Sequence, residues 1–481
     1  MNEEQQQACQ TICEDYKLGK RGVYLIHGVT GSGKTEVYLH VIEQIIKEGK
    51  QVIVLIPEIA LTYQTVRRFT QRFGERVAFL HSRLSAGEKY DQYRLAKEGK
   101  LDIMIGPRSA LFTPFENLGC IVIDEEHEPS YKSEGVPKYH ARETAIQLAK
   151  MTNASVILGS ATPSLESYMR AEKGEYKLLE LKQRANHAKL PQVEVVDLKE
   201  EMKAKNRSMF SRSLQKEIQE RLEKKEQTML FLNRRGYSGF VSCRSCGKAI
   251  MCPHCSVSLT LHYDDTLHCH YCGYTIPLPK QCPECTSPYI ASFGTGTQKV
   301  EEAVKKMFPR ARVLRMDADT TKEKESYEKI LSSFANEEAD ILVGTQMIVK
   351  GHDFPKVTLV GILAADLSLN VSDYRAGERT FQLLAQAAGR AGRGQLNGKV
   401  IIQTYQPKHY SIQASLTEDY VAFYKKEMLY RKMMKYPPQA HILAVLCIGK
   451  EEQRTEQFCY FLAEKAKQFA KEKKGQFIGV I

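Results

Sequence analysis

Val23-Tyr-Leu-Ile-His-Gly28-Val-Thr30-Gly31-Ser32-Gly33-Lys34-Thr35 is the stretch on which the fold turns. An apolar run leads into a G-x-x-x-x-G-K-[ST] loop, and a helical pattern follows from Glu36, which is the strand-to-helix setting a phosphate loop requires. The glycines let backbone N–H groups close around phosphates, and the helix N-terminus adds a favourable dipole. Lys34 is expected to reach the β- and γ-phosphates and Thr35 to offer its hydroxyl to Mg²⁺. Gly28, Thr30, Gly31, Ser32 and Gly33 complete the candidate contacts to the nucleotide, ATP.

A second apolar run, Cys120-Ile-Val-Ile-Asp124-Glu125-Glu126-His127, ends in carboxylates at the tip of a predicted buried strand. Asp124 is the expected magnesium-side carboxylate, and Glu125 the group that orients and polarises the attacking water. Around these lie 51–64, 81–85, 102–112 and 155–167, in which strands alternate with helices and end in loops bearing Pro, Gly, Ser or Thr. That layout predicts an α/β lobe whose parallel sheet carries its function at the C-terminal edge.

Beyond a Lys-rich, Pro-marked connector at 182–191 a second alternation begins, with strands expected at Thr228–Leu232, Arg312–Met316, Asp340–Thr345, Thr358–Ala364 and Lys399–Thr404. Within it, eight cysteines form four Cys-x-x-Cys pairs: Cys243/Cys246, Cys252/Cys255, Cys269/Cys272 and Cys282/Cys285. Two pairs close one tetrahedral zinc site, so four imply two Zn²⁺. The five residues between Cys246 and Cys252 reach at most about 20 Å, which makes closing one zinc within that span tight. Nested pairing is easier: Cys252, Cys255, Cys269 and Cys272 around an inner ion, Cys243, Cys246, Cys282 and Cys285 around an outer one. Sequential or interleaved pairing stays open. Cys9, Cys13, Cys120, Cys447 and Cys459 match no ligand spacing and read as packing residues.

With 481 residues the chain is long enough for two or three domains. Its formal charge of +12 falls to about +8 if eight thiolates bind two zinc ions, and a basic balance favours a polyanionic partner, nucleic acid first. MNEEQQQACQ has no signal-peptide layout and no apolar run approaches a membrane span, so a cytosolic protein is predicted. Reduced, metal-binding cysteines suit that compartment.

The phosphate loop, Asp124-Glu-Glu-His127 and Ser160-Ala161-Thr162 resemble motifs I, II and III of superfamily 2 helicases, and Gln5 sits where that superfamily has an adenine-reading glutamine. Gly344-Thr-Gln346-Met-Ile-Val-Lys350-Gly351-His-Asp353-Phe-Pro resembles motif V, with Asp353 a candidate nucleotide contact. Gln386-Ala-Ala-Gly389-Arg390-Ala-Gly392-Arg393 resembles motif VI. The resemblance places Gln386 at the γ-phosphate, with Arg390 and Arg393 neutralising transition-state charge. The segment 128–145, EPSYKSEGVPKYHARETA, is similar to aromatic-rich loops that couple single-stranded DNA contact to ATP hydrolysis. Tyr131 and Tyr139 are its candidates for base stacking, Lys132 and Lys138 for phosphate contact.

The form of motif V and the eight-cysteine insertion together resemble the PriA family. That resemblance implies two RecA-like parallel-sheet lobes with a two-zinc insertion in the second, nested zinc pairing, and 3′-to-5′ DNA helicase activity at stalled forks. It further implies single-stranded and forked DNA, single-strand-binding protein and primosome or helicase-loading proteins as partners. A monomer associated with the bacterial nucleoid, with no membrane contact, completes the expectation. The domains expected are 1–185 (first lobe), 186–435 (second lobe, interrupted by 243–286) and 436–481, the start of a partial αβ domain with a strand at His441–Ile448, a helix at Glu451–Lys474 and a strand at Gln476–Ile481. The family's 3′-end-binding and winged-helix domains have no counterpart ahead of Gln5, so a shortened chain is expected. The rival readings are a zinc-bearing assembly platform with a vestigial ATPase, and an RNA helicase.

Overall fold

The structure is a computed structural model that describes residues 1–57, 63–82, 84–184, 191–232, 241–243, 245–262, 264–292, 296–317, 319–321, 326–349, 354–392 and 397–472. The chain divides into two compact units, one built on Met1–Leu190 and the other on Pro191–Ile348, Lys356–Ala391 and Gly398–Ile481.

The first unit has seven strands: β1 (Val23–Gly28), β2 (Gln51–Leu55), β3 (Val77–Phe79), β4 (Ile103–Gly106), β5 (Leu118–Asp124), β6 (Ser155–Ser160) and β7 (Lys177–Leu181). They form one sheet in the order β3-β4-β2-β5-β6-β1-β7, parallel throughout. The central strands are buried along their whole length, which is why they read as unbroken apolar runs and not as alternation. Helices Glu3–Lys17 and Lys34–Lys47 pack Ile12, Tyr16, Val37, Val41 and Ile45 into the same core as Val52, Val54 and Val122.

The second unit opens with β8 (Gln192–Asp197) and β9 (Gln227–Leu232), and then leaves its main sheet for five short strands. These are β10 (Val241–Cys243), β11 (Thr260–Leu261), β12 (Thr266–His268), β13 (Thr275–Pro277) and β14 (Ile290–Ser292). The antiparallel pair β10–β14 carries the chain out and back, so the excursion starts and finishes side by side. The main sheet then resumes with β15 (Val313–Met316), β16 (Ile341–Gly344), β17 (Val357–Leu363) and β18 (Lys399–Thr404), giving the parallel order β15-β16-β9-β17-β18-β8. Both units are therefore RecA-like α/β lobes, and the cysteine excursion belongs to the second.

The C-terminal expectations divide. Glu452–Glu472 is helical, and 476–481 lies outside the described residues, as does 185–190 of the expected connector. His441–Ile448 is not a strand: it has no regular secondary structure and is mostly exposed. An apolar run becomes a strand only by pairing its backbone, and no described strand runs beside it. Among the described residues no helix is long and apolar enough to cross a membrane.

Candidate nucleotide site and zinc centres

Strands β5, β6 and β1 are neighbours, so Asp124, Ser160 and Gly28 end side by side at one edge of the first sheet. After Gly28 the chain turns through Gly31 and Gly33, both at φ +81°, a region that glycine enters without steric cost. Gly33 caps helix Lys34–Lys47 with no side-chain hydrogen bond, which leaves that helix's first N–H groups for an anion. The Lys34 Nζ donates to the Gly28 carbonyl at 2.9 Å and so lies folded over the loop it belongs to. Thr30 and Thr35 are half-buried beside it. Gln5 reaches the loop from the first helix. Its Nε2 donates to the Ser32 carbonyl at 2.7 Å, while its Oε1 accepts from the Asn2 N–H in a capping box.

The Ser32 Oγ and the Glu125 Oε2 are closed off from solvent and have no hydrogen-bond partner among the described residues. Buried polar atoms are normally paired, so this pair of orphans fits a site completed by a polar ligand. The Tyr38 hydroxyl donates to the Asp124 Oδ1 at 3.1 Å. It passes so close over β6 that a Cβ at Gly159 would lie 1.5 Å from it. Burial raises the Asp124 carboxyl and the Glu125 charge adds to it, outweighing Lys34 and Tyr38, so that it is pushed up to about 6. A divalent cation beside it would reverse that balance. Glu125 itself adopts φ +48°, a left-handed backbone. His127 lies 3.6 Å from the Glu125 Oε2 and 2.7 Å from the Ser160 Oγ, which ties the acidic strand tip to the Ser160-Ala161-Thr162 turn.

Two residues beyond Asp124, Glu126 is fully buried and paired with Arg142 at 2.9 Å. Its Oε1 accepts from the Ser164 N–H at 2.7 Å and its Oε2 from the Ser167 hydroxyl at 2.8 Å. Burial alone would raise this carboxyl, but Arg142 and the Ser164 and Ser167 donors hold it below the ordinary carboxylate value. Tyr38, Arg142, Ser164 and Ser167 carried no motif signal, because each reads as an ordinary helix residue.

The candidate DNA contacts separate. Tyr131 is buried, with its hydroxyl 2.7 Å from the Asp124 carbonyl and 3.0 Å from the Leu55 carbonyl, so it anchors the loop and has no face free for a base. Tyr139 is half-buried and meets the exposed Phe112 edge-on at 5.3 Å between ring centres. Lys132 and Lys138 are exposed. In the second unit, Gln386 lies half-buried in helix Ala376–Ala388, and Arg390 follows it with its N–H on the Ala387 carbonyl. Arg393 and Asp353 lie outside the described residues.

The eight cysteines gather into two groups, Cys243, Cys246, Cys282 and Cys285, and Cys252, Cys255, Cys269 and Cys272, each with its sulfurs within 4.8 Å of one another. This is the nested arrangement. Pairs such as Cys243/Cys285, Cys246/Cys282 and Cys252/Cys272 stand 3.6, 3.7 and 3.6 Å apart, matching the edge of about 3.8 Å that four Zn–S bonds of about 2.3 Å define. The two clusters fit two zinc ions.

All four knuckles share one backbone design. The N–H four residues after the first cysteine returns to that cysteine's carbonyl. The residue making that bond, Gly247, Ser256, Gly273 or Thr286, has positive φ. Tyr436 donates to the Cys255 carbonyl, and the Tyr271 hydroxyl accepts from the Tyr374 N–H, so the module is fastened to its own lobe.

Comparison with known proteins agrees with this geometry. Residues 1–165 match the type III restriction enzyme res subunit family, 288–395 the helicase conserved C-terminal domain, and 252–277 the Cys-rich region (CRR) domain of the PriA DNA helicase. Among solved structures, RecG bound to a three-way DNA junction aligns over 91% of this chain and 50% of its own, with a TM-score of 0.51 and 17% identity. The Mycobacterium smegmatis helicase Lhr aligns over 86% and 48%, with the same score and identity. The likeness to these two helicases is one of fold.

Replication restart protein PriA of Bacillus subtilis (strain 168) is 54% identical over 453 residues, 94% of this chain and 56% of the relative. That of Synechocystis is 49% identical over 94% and 55%, and that of Rickettsia felis 41% identical over 94% and 69%. The chain belongs to the PriA family of replication restart proteins, and it spans little more than half the length of the first two of these relatives.

Proposed function

We propose that this chain is an ATP-dependent DNA translocase and helicase of 3′-to-5′ polarity that acts at stalled replication forks in the bacterial cytoplasm. Its partners would be single-strand-binding protein and the proteins that assemble the primosome. The observation that carries the reading is the meeting of Lys34, Asp124 and Glu125 at one sheet edge, with orphaned polar atoms on Ser32 and Glu125, in a chain of this family.

ATP would lie on the 28–35 loop, its phosphates on the helix N-terminus and Lys34. Thr35 and Asp124 would hold Mg²⁺, which neutralises phosphate charge when bound. Glu125 would orient water in line with the γ-phosphate, and Gln386, Arg390 and Arg393 are the second lobe's candidates for neutralising transition-state charge. The zinc module contributes strand separation or partner contact and no chemistry on ATP. The domain reading is 1–185, 186–435 with 243–286 inserted, and 436–481.

The test is Lys34→Ala. DNA-stimulated phosphate release should be abolished while zinc content stays at two per chain; unchanged ATPase would sink the assignment. Stimulation of the wild-type chain by single-stranded DNA, forked DNA and RNA in parallel identifies the strand it tracks.

A further inference from the structure

Tyr38 stands one turn into helix Lys34–Lys47, the helix that leaves the phosphate loop, and it is buried. Its ring lies over β6, where a Cβ on Gly159 would come within 1.5 Å of the Tyr38 hydroxyl oxygen and 2.7 Å of Cζ. Gly159 is the register partner of Asp124 on β5, so a ring that clears Gly159 delivers its hydroxyl to that carboxylate. The hydroxyl donates to the Asp124 Oδ1 at 3.1 Å, and among the described residues Asp124 is its one acceptor. A neutral phenol beside a carboxylate can only donate. Three elements therefore converge on one oxygen: the phosphate-loop helix through Tyr38, β6 through the missing side chain of Gly159, and β5 through Asp124.

A carboxylate meets a cation through one oxygen or through both. Calcium takes about six to eight oxygens in a loose shell that accepts two-oxygen carboxylates. Magnesium demands a tight octahedron and keeps several waters, so the narrow bite of a two-oxygen carboxylate suits it poorly. A proton already on Oδ1 opposes the two-oxygen mode, because adopting that mode would strand a buried hydroxyl without an acceptor. The one-oxygen mode leaves the hydrogen bond in place.

We propose that Tyr38 is a specificity-determining residue for the metal: by occupying Oδ1 it confines Asp124 to one-oxygen contact and so favours Mg²⁺ over Ca²⁺, while Gly159 keeps open the space it needs. This rests on the reading of Asp124 as the carboxylate that faces the metal. Tyr38 itself meets no ion; it acts through Asp124.

Tyr38→Phe removes the hydroxyl and keeps the ring. The probe is a non-hydrolysable ATP analogue, whose affinity for the full chain is measured by calorimetry with saturating Mg²⁺, with saturating Ca²⁺ and with neither. In the variant the ratio of calcium-supported to magnesium-supported affinity should rise about three- to tenfold, the worth of one hydrogen bond. Affinity without a divalent ion should stay within about twofold of the wild type. Gly159→Ala disturbs the same contact from β6 and should move the ratio in the same direction. A merely structural hydroxyl would affect the two ions alike, so an unchanged ratio in Tyr38→Phe overturns the proposal, whether both affinities hold or both fall together.

Asp124→Asn separates this selection from the reading beneath it. If that variant loses the gain in affinity that Mg²⁺ brings, Asp124 faces the metal and the ratio in Tyr38→Phe decides the proposal by itself. If the gain survives, the reading of Asp124 fails and the proposal falls with it. Turnover supplies a second measure: the Ca²⁺ concentration that halves magnesium-dependent ATPase should drop about three- to tenfold in Tyr38→Phe, and the absence of any drop overturns selection at this residue.

Discussion

Arg142 in the first unit and Arg431 in the second are both withdrawn from solvent, and each fixes carboxylates behind a helicase-like motif, yet the two are built differently. Arg142 places Nη1 on Glu126 and on two serine hydroxyls and Nε on the half-buried Glu143 at 3.1 Å, and the Ser164 N–H serves the far side of the Glu126 carboxylate. Arg431 spends three nitrogens on three separate acceptors: Nε on the Glu427 Oε1 at 2.8 Å, Nη2 on the Glu378 Oε2 at 2.9 Å and Nη1 on the Pro437 carbonyl at 2.6 Å. It thereby ties helix Tyr420–Met433 to helix Ala376–Ala388, which carries Gln386. Around Glu126 the first clamp has redundant neutral donors; in the second, one cation lies between two buried anions. Placing a motif is the work of residues outside it.

The largest effect should come from Arg431→Met, which removes the cation that the buried Glu378 and Glu427 share while the Tyr410 hydroxyl still donates to Glu427. Breaking a buried ion pair from one side costs about 3–5 kcal/mol, and this site belongs at the top of that range. The readout is denaturant unfolding, with hydrogen exchange in 376–388 and 420–433 to assign the loss to the second unit.

Arg142→Met should cost less, about 3 kcal/mol, because the Ser164 N–H and the Ser164 and Ser167 hydroxyls still serve Glu126. Adding Glu126→Gln should return part of that loss, since a neutral amide needs no counter-charge. If Arg142→Met proves as costly as Arg431→Met in the same assay, the redundancy drawn from the serine donors is wrong.

These clamps show where sequence reading stopped. The phosphate loop, the acidic strand tip and the cysteine pairs were legible because each packs its chemistry into a short, fixed spacing. Both sheets were legible through their central strands, which are buried end to end. Glu427 and Arg431, four apart on a helix, have the ordinary spacing of a surface ion pair and belong to no motif. A signal was present all the same: Tyr420, Tyr424, Glu427 and Arg431 continue one buried stripe, so two charges on an apolar face announced a buried pair.

Arg142 offered less, since Glu126, Ser164 and Ser167 lie 16 to 25 residues away in sequence. Tyr131 stood open between base stacking and packing, because a tyrosine in a polar loop shows its ring in the sequence and hides its packing. The uniform left-handed turn of the four knuckles was half visible, as glycine at two of the positions and as Ser256 and Thr286 at the others.

The smallest expected effect concerns Asp124 and Glu126, two residues apart and displaced in opposite directions. Burial first, and then the Glu125 charge, lift Asp124 from 3.8 to about 6; Glu126 is held below its ordinary value of 4.5. For Asp124 the folded state binds the proton more tightly than the unfolded chain. Stability is therefore lost as pH rises from about 4 to about 6, and the deficit is complete above that window. For Glu126 the sign is opposite: its contribution is present above 4.5 and disappears as pH falls through the lowered folded value.

Asp124→Asn should therefore stabilise the nucleotide-free first unit at pH 7 by about 1 kcal/mol, after discounting for solvent at the strand tip, and be nearly neutral at pH 4. Magnesium and an ATP analogue should then stabilise the wild-type chain more than the variant, because a cation beside Asp124 removes the penalty that the amide no longer carries. Denaturant midpoints at the two pH values, with and without magnesium nucleotide, measure both terms. A midpoint at pH 7 that does not move would mean that Lys34 and Tyr38 already offset the burial of this carboxylate. Asp124 would then sit as comfortably as Glu126, and the contrast between a carboxylate kept ready for a cation and one neutralised by its own arginine would be lost.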